Sequence, residues 1–545
     1  MIAFLEAARA GLFNRNNIFP NILAGIVVGI VTIPLSMAFA IAANAKPEVG
    51  LYTSIIAAFC VSVFGGTRIQ ISGPTGAFVG LLLSISAQFG PDGLQLATIL
   101  AGIILIIMGM VHCGKIIRFI PEQVVIGFTI GISINLLIGQ FPNFCGLTCR
   151  HLSANFAEKI TQIYQALPTI DCPTTVLAVI SLLILIFNKY TFFRSIPAPI
   201  MALFCGIFLQ SIFQFGSVST VGSAFGGIPQ ALPSFQIPPN ITAARLYSLL
   251  PSAFALAMLG AIESLLSAII ADRITGQKHS SDQELIGQGI ANAVCPFFGG
   301  IASTGSIART ASSVRAGGNS PLAGIVSSIT LICIICFCAP LANNVPLATL
   351  AAIIFMVAFR MIHPASLFSL IRHSPKLDVL ILFLTCTLTI VYGIVLAVNI
   401  GVILSALIIV YRLISSTTIH DESADFARDF HTSPNIAIYR ITGPFFFGIL
   451  DKFDHMIDQM QPEIDTLILD LSDVAFIDTA GLQALRDLTE QFKHTGKKVI
   501  FAEAQPQIIQ KLNQAQIMDF TGNNSEYLTI PEVLNIANTP RMDTI

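Results

Sequence analysis

Charge is what this chain has least of. Asp, Glu, Lys and Arg make up 11% of its 545 residues, whereas 54% are hydrophobic. A soluble protein of this length carries roughly twice that charged fraction. The formal net charge of -2 leaves no basic surplus, which argues against nucleic acid as a partner. Several chemical signatures are also missing. No glycine-rich nucleotide loop, nucleophile elbow or zinc spacing appears. His112, His363, His373 and His420 are scattered near the ends of apolar runs without metal-ligand spacing. An enzyme, a cofactor or a metal centre is therefore not expected. Any work the chain does must draw on an ion gradient or on the gradient of the solute itself.

What the chain does have is apolar runs, among them Ile22 to Ala43 and Leu322 to Ala339. Runs of about 18 or more residues span a hydrocarbon core of about 30 Å. The first run follows a mixed polar stretch without a small-residue cleavage site, so it reads as a retained span and not a signal peptide. Read span by span, Arg9, Arg15, Arg68, Lys115, Arg118, Lys189, Arg194, Arg273, Lys278, Arg372, Lys376 and Arg412 fall on one side. The short loops near Gly90 and Asn343 on the other side carry neither Lys nor Arg. The positive-inside rule then puts both termini in the cytoplasm and requires an even number of spans, about fourteen with half-spans included. The expected location is the inner (plasma) membrane, with lipid as a partner. Most cysteines lie within apolar runs as packing residues. Cys145, Cys149 and Cys172 fall in a loop assigned to the outside, where the compartment would permit a disulfide.

Composition switches near Tyr411. The expected division is a cytoplasmic segment 1–19, a transmembrane domain 20–414, a linker 415–434 and a small α/β domain 435–540. In that last part "NIAIYRITGPFFFG" reads as two short strands with a Thr-Gly break. An amphipathic helix through Ile449, Phe453 and Ile457, a strand "TLILDLS", a helix from Thr479 to Lys493, a strand "KKVIFAEA" and a helix "PQIIQKLNQ" follow. Strands alternating with short helices define an α/β unit.

A weak repeat lies inside the membrane part. "FGGTRIQISGPTGAF" from Phe64 and "FGGIASTGSIA" from Phe298 share Phe-Gly-Gly followed by Thr-Gly. Each Thr-Gly follows a span-opening proline, Pro20 or Pro251, by roughly 50 to 55 residues, and paired interruptions in two inverted halves of about seven spans mark a transporter binding site. Gly73-Pro74 cannot continue a helix, so a half-helix is expected to start near Thr75. Ser303 to Ser306 precede a second one through Arg309 and Ser313. Two half-helix N-termini meeting at mid-membrane would offer unpaired N–H groups to an anion. Irregular backbone at that depth is tolerated only where it is buried in protein or lines a cavity. Arg309 strengthens the sign, because a charge inside a span usually faces a cavity or a partner. Small residues packing helices closely, with Arg309 bound to a structural carboxylate, is the competing explanation; two matching segments weigh against it.

Glu263, on the span "AMLGAIESLLSAIIAD", is the other intramembrane charge. It either pairs with Arg309 or takes up a proton or cation during transport, with Ser267 one turn away on the same face. Ser281-Asp282-Gln283-Glu284 reads as a capping box opening the next span.

These segments resemble the SulP anion transporters (solute carrier family 26), and "ILDLSDVAFIDTAGLQAL" resembles a STAS domain. "IPLSMAFA", "ISGPTGAF", "AIESLLSAIIAD", "ELIGQGIAN" and "SIARTASSVRAGG" occur in the family's order. The resemblance implies an all-α membrane domain of about fourteen spans in a 7+7 inverted repeat, followed by the α/β STAS domain. It also implies a core domain that carries the anion past a gate in an elevator-like motion, and a homodimer. By position it implies a site lined by Phe39, by Thr75, Gly76 and Ala77, by Glu263 and Ser267, and by Gly305, Ser306, Ala308 and Arg309. Sodium-coupled bicarbonate relatives carry Asp at the place of Glu263 and Thr at that of Ile307, which argues against a sodium site. Leu35 stands where animal relatives have glutamine. The pattern is most similar to proton-coupled bacterial members, so the expected activity is proton-coupled uptake of sulfate or a C4-dicarboxylate. Bicarbonate transport, anion exchange or a channel are alternatives, and a nucleobase transporter is disfavoured because the tenth span offers Arg309 and no acid. In the STAS part, the position of the phosphorylatable serine of anti-sigma-factor antagonists falls on Thr479. That makes Thr479 a regulatory candidate, beside a plain folding, dimer or cytoplasmic-partner docking role.

Overall fold

The computed structural model describes residues 2–115, 122–149, 153, 155–188, 196–239, 241–362, 364–430, 433–517 and 529–538. Arg118, Lys189, Arg194 and His363, used above for topology or metal spacing, lie outside the described residues, as does the last part of the expected 435–540 domain. The chain divides into two units, Met1–Ile403 and Leu404–Ile545.

The first unit is helical. Its elements are α1 (Ala3–Arg9), α2 (Arg15–Ala42), α3 (Pro47–Phe64), β1 (Ser72–Gly73), α4 (Gly76–Met110), α5 (Glu122–Cys145), α6 (Phe156–Ala166), α7 (Cys172–Phe187), α8 (Ala198–Phe213) and α9 (Val221–Phe225). Then come α10 (Ala243–Thr275), α11 (Ser281–Val294), β2 (Thr304–Gly305), α12 (Ile307–Arg315), α13 (Leu322–Ala342), α14 (Leu347–Ile362), α15 (Pro364–His373), α16 (Lys376–Val391) and α17 (Ile394–Ser416), which runs on into the second unit. Among the described residues seven helices are long and apolar enough to cross a membrane, or eight if the bent pair Phe156–Thr169 and Cys172–Phe187 is one span. Most of the other helices are shorter. α12 has only nine residues, and α4 breaks at Gly90, whose φ of +73° suits glycine and interrupts the helix before Pro91. A helix of nine residues cannot reach across a hydrocarbon core.

Packing sorts these helices into two bundles. α2, α3, α4, α10, α11, α12 and α13 pack mainly on one another, and so do α5, α7, α8, α14 and α16. The contacts between bundles run chiefly through α2 against α14 and α8, and α4 against α5. Within bundles, glycines let backbones approach, as small residues do in membrane interfaces: a methyl on Gly102 would lie 2.5 Å from the Ala293 amide nitrogen.

Hydrogen bonds tie helix ends together on each side, and basic residues stand at both. Ala3 N–H donates to Gly65 O, Ser280 N–H to Gly66 O, and Gly114 N–H to Asp282 Oδ1. One end therefore gathers Arg9, Arg68, Lys115 and Lys278. The opposite end holds Phe89, whose carbonyl accepts from Arg245. The capping box expected at Ser281 does not form: Ser280 is the N-cap and makes no side-chain cap bond. Glu284 is buried elsewhere, against Gly66. Cys145, Cys149 and Cys172 are free thiols; Cys145 is buried in the last turn of α5.

The second unit carries a four-stranded sheet in the order β3 (Thr418–Asp421), β4 (Ile436–Thr442), β5 (Thr466–Asp470), β6 (Lys498–Ala502). β3 pairs antiparallel with β4; β4 with β5 and β5 with β6 are parallel. The segment 415–434 is thus not a plain linker, because it supplies the edge strand β3 and helix α18 (Ser423–Phe430). The second strand expected after the Thr-Gly break reduces to one bridge between Phe445 and Ile477. Helices α19 (Leu450–Asp458), α20 (Thr479–His494) and α21 (Pro506–Gln514) pack on one face with Ala437, Ile441, Leu467 and Leu469. The alternate residues Ile436, Ile438 and Ile468 face α22 (Ile530–Asn538), as a period-2 strand buried on both faces requires. Across the sheet Arg440 Nε donates to the buried Asp470 at 2.6 Å, which raises the Arg440 pKa further above its usual range.

Candidate anion-binding site

The two interrupted segments meet. Ser72 pairs with Gly305 and Gly73 with Thr304 in an antiparallel two-stranded crossing, β1 against β2. Chain direction is opposite in the two strands, so α4 and α12 leave the crossing in opposite senses. Thr75 is the N-cap of α4 and Ser306 that of α12, and neither side chain caps its helix. Each helix therefore begins with N–H groups that its own side chains do not satisfy.

Neighbouring elements brace the crossing. Ser264 on α10 shares a 2.7 Å hydrogen bond with Thr304 and accepts from Gly305 N–H at 3.1 Å. Thr304 Oγ1 also donates to Gly260 O. Ile71 N–H donates to Thr310 Oγ1, and Ser306 N–H to Ile71 O. The repeat partners are thus laced together by hydroxyls, which explains why Ser and Thr collect in these apolar surroundings.

Arg309 is the largest fully buried side chain among the described residues, at 1% exposure. Its Nη2 donates to Pro74 O at 2.8 Å and to Ser36 Oγ at 3.3 Å. Ser36 in turn shares a 2.6 Å hydrogen bond with Ser54. The guanidinium of the second segment is therefore anchored on the carbonyl that ends the first. Its Nη1 has no hydrogen-bond partner among the described residues. A Cβ on Gly73 would collide with that nitrogen, so only glycine leaves room for it.

No carboxylate lies within 4.0 Å of Arg309 among the described residues, and Glu263 pairs with no cation there. Arg309 and Glu263 are thus separate. Glu263 is half-buried, adjoining Ser264 at the level of the crossing. Ser267 is fully buried, with its hydroxyl unpartnered. The hydroxyl of Thr75 is likewise unpartnered.

The residues named from the sequence are distributed as follows. Phe39, Gly76 and Ala77 are buried, and a methyl placed on Gly76 would lie 3.3 Å from Phe39 Cε1. Gly305 is buried in the crossing, Ser306 is half-buried, and Ala308 is exposed. The same methyl on Gly76 would be 3.1 Å from Met361 Sδ and 3.6 Å from Leu136 Cδ1. Met361 of α14 and Leu136 of α5 bring the second bundle to the site. Sequence reasoning missed both, because one apolar residue in an apolar span carries no local mark. Thr479 belongs to the other unit. It is exposed as the first residue of α20, behind Asp478, whose carboxylate caps the helix through Gly481 N–H. Among the described residues no group of three or more His, Cys, Asp or Glu could hold a metal ion.

Comparison with known proteins agrees with this architecture. The sulfate permease family model matches residues 18–385 and the STAS domain model residues 427–530. A putative sulfate transporter of Bacillus subtilis, YvdB, is 37% identical over 91% of this chain and 93% of its own length. The bicarbonate transporter BicA of Synechocystis is 29% identical over 96% of this chain and 94% of its own. Murine solute carrier 26 family member A9, an anion transporter solved in the inward-facing state, superposes with a TM-score of 0.85 at 18% identity, covering 99% of this chain and 94% of that one. With a crossing of two half-helix starts around a buried arginine, and matches along both units, the chain belongs to the sulfate permease (SulP) family of membrane anion transporters and ends in a STAS domain.

Proposed function

We propose that this chain is a secondary active transporter that couples uptake of sulfate or a C4-dicarboxylate to proton entry. One observation carries the anion reading: a fully buried guanidinium with, among the described residues, no carboxylate in reach and one nitrogen free, beside two uncapped helix starts. A buried charge left uncompensated is costly, and a bound anion would supply the compensation. The unpartnered hydroxyls of Thr75 and Ser267 are further donors for oxyanion oxygens. Phe39, Gly76, Ala77, Gly305, Ser306 and Ala308 form the remaining wall of the proposed site.

Glu263 is the proposed coupling group, with Ser267 beside it. It adjoins Ser264, which braces the crossing, and among the described residues it is not engaged by Arg309. The sorting of helices into two bundles, with Phe39 and Gly76 on one and Met361 and Leu136 on the other, supports an elevator-like movement of the first bundle past the second. The charge distribution supports cytoplasmic termini and an inner (plasma) membrane location. Bicarbonate is the second reading, favoured by the likeness to a protein named a bicarbonate transporter. A homodimer and a cytoplasmic partner at the STAS domain complete the proposal. For Thr479 a folding or docking role is favoured over phosphorylation, because a phosphate would stand against the Asp478 carboxylate that already caps α20.

The test is uptake of radiolabelled sulfate, succinate, fumarate and bicarbonate into proteoliposomes, with and without an imposed pH gradient. Accumulation of sulfate or a dicarboxylate that follows the proton gradient is expected. Current without accumulation would instead make the protein a channel, and uracil uptake would make it a nucleobase carrier.

A further inference from the structure

A second carboxylate is sealed inside the membrane unit, and the transport reading leaves it idle. Glu284 on α11 has no exposed surface. It does not cap its helix, and no cation lies within 4.0 Å of it among the described residues. Both of its oxygens accept from N–H donors instead: Oε2 from Gly66 N–H and Oε1 from Gln288 Nε2, each at 3.0 Å. The other end of the Gln288 amide, Oε1, accepts from Ser72 Oγ at 2.9 Å. Ser72 is the residue of β1 that pairs with Gly305.

The same face of α11 continues to Asn292. Glu284, Gln288 and Asn292 are spaced i, i+4, i+8 and so stack along one side of the helix. Asn292 receives Ser303 N–H at 2.7 Å and donates to Ser303 O at 2.9 Å. One polar stripe thus holds both strands of the crossing, Ser72 in the first and Ser303 next to the second.

The stripe also has a direction. An amide is a donor at one end and an acceptor at the other. A carboxylate, which only accepts, turns the Gln288 NH2 toward itself and leaves its carbonyl for Ser72. With a neutral amide at position 284, the two NH2 groups would face each other. Gln288 would turn over and present its NH2 to Ser72, so the serine hydroxyl could only accept and its own proton would lose the carbonyl it now bonds.

We infer that Glu284 is a positioning residue for the anion site: its carboxylate orients Gln288, which anchors Ser72 and so sets the β1–β2 register beside Arg309. The inference rests on the anion-site reading above. The residue acts through the crossing and does not touch the anion.

Full-length variants in proteoliposomes test it, with radiolabelled sulfate as probe, or succinate if the panel shows succinate to be the anion taken up. E284Q is expected to raise KM about tenfold, with maximal rate per reconstituted transporter within about twofold, the mark of weakened binding without slowed turnover. S72A should raise KM similarly and add nothing to E284Q. The exchange E284Q/Q288E is the decisive variant. The introduced amide at position 284 would then accept from Gly66 and donate to the introduced carboxylate four residues on, which would accept from Ser72. The direction of the stripe is restored, and KM should return to within about twofold of the parent. KM unchanged in E284Q, or an exchange as impaired as E284Q, overturns the inference. Should E284Q fail to insert, an unchanged KM in S72A does so alone. Failure of the parent chain to take up any anion of the panel would instead overturn the site reading on which this rests.

Discussion

The first interrupted segment, Ile69 to Gly76, and the second, Ile301 to Ile307, follow one backbone plan. Each supplies a two-residue strand, a helix start without a side-chain cap, and a glycine in the crossing. Their chemistry is divided. The first gives space and acceptors: Gly73 leaves room for a guanidinium and Pro74 lends it a carbonyl. The second leads into α12, which gives the charge, Arg309, on a helix of nine residues whose first positions, Ile307 and Ala308, are exposed. α4 starts buried, at Gly76 and Ala77. The two segments share one geometry, and the first receives a side chain that follows the second. The crossing is therefore one object assembled from both segments.

Breaking that division should be most costly at the charge. Arg309→Gln is expected to lower anion uptake by about 100-fold or more, because it removes a buried charge and strands the acceptors it holds; uptake at the parental rate would show that the guanidinium serves packing alone. Next comes the receptor. Gly73→Ala drives a Cβ into Arg309 Nη1, and uptake should fall about tenfold as the guanidinium is displaced. The matching change, Gly305→Ala, drives its Cβ into the neutral Gln70 side chain. Its effect should be smaller than that of Gly73→Ala; equal losses would mean that both glycines serve the crossing and neither serves the arginine.

Glu263→Gln sharpens the contrast between Glu263 and Arg309. It should leave uptake down a sulfate gradient in place while removing its response to an imposed pH gradient. A retained response in proteoliposomes assigns coupling elsewhere. The smallest effect is expected from Ser36→Ala, which removes the longer of the two Arg309 bonds, at 3.3 Å. A rise in KM of about threefold is anticipated, measurable in the same uptake assay.

Much of this was readable along the chain because it depends on local properties. Pro74 next to Gly73 marks a break, so the start of α4 beside Thr75 and of α12 after Ser306 could be placed within a residue or so, although Pro20, Pro34, Pro142, Pro251 and Pro340 stand inside continuous helices. The α/β unit was visible in its alternating strands and helices, although β3 was hidden in a polar stretch that reads as a linker. The spacing of Ser281 and Glu284 suggested a cap, yet burial against Gly66 took Glu284 out of reach. Met361 and Leu136 carried no signal at all, since a lining residue of an apolar wall looks like any other.

What the sequence determined by itself is what one segment's covalent and solvation chemistry can settle: which runs enter the membrane, where they must break, and that charges are left inside. Only the tertiary structure decided whom those charges meet. Arg309 reaches Pro74 across 235 residues and Glu284 reaches Gly66 across 218, while Glu263 and Arg309 stay apart although they are much closer along the chain. Pairings over such distances follow from how whole helices pack, and no local spacing encodes that.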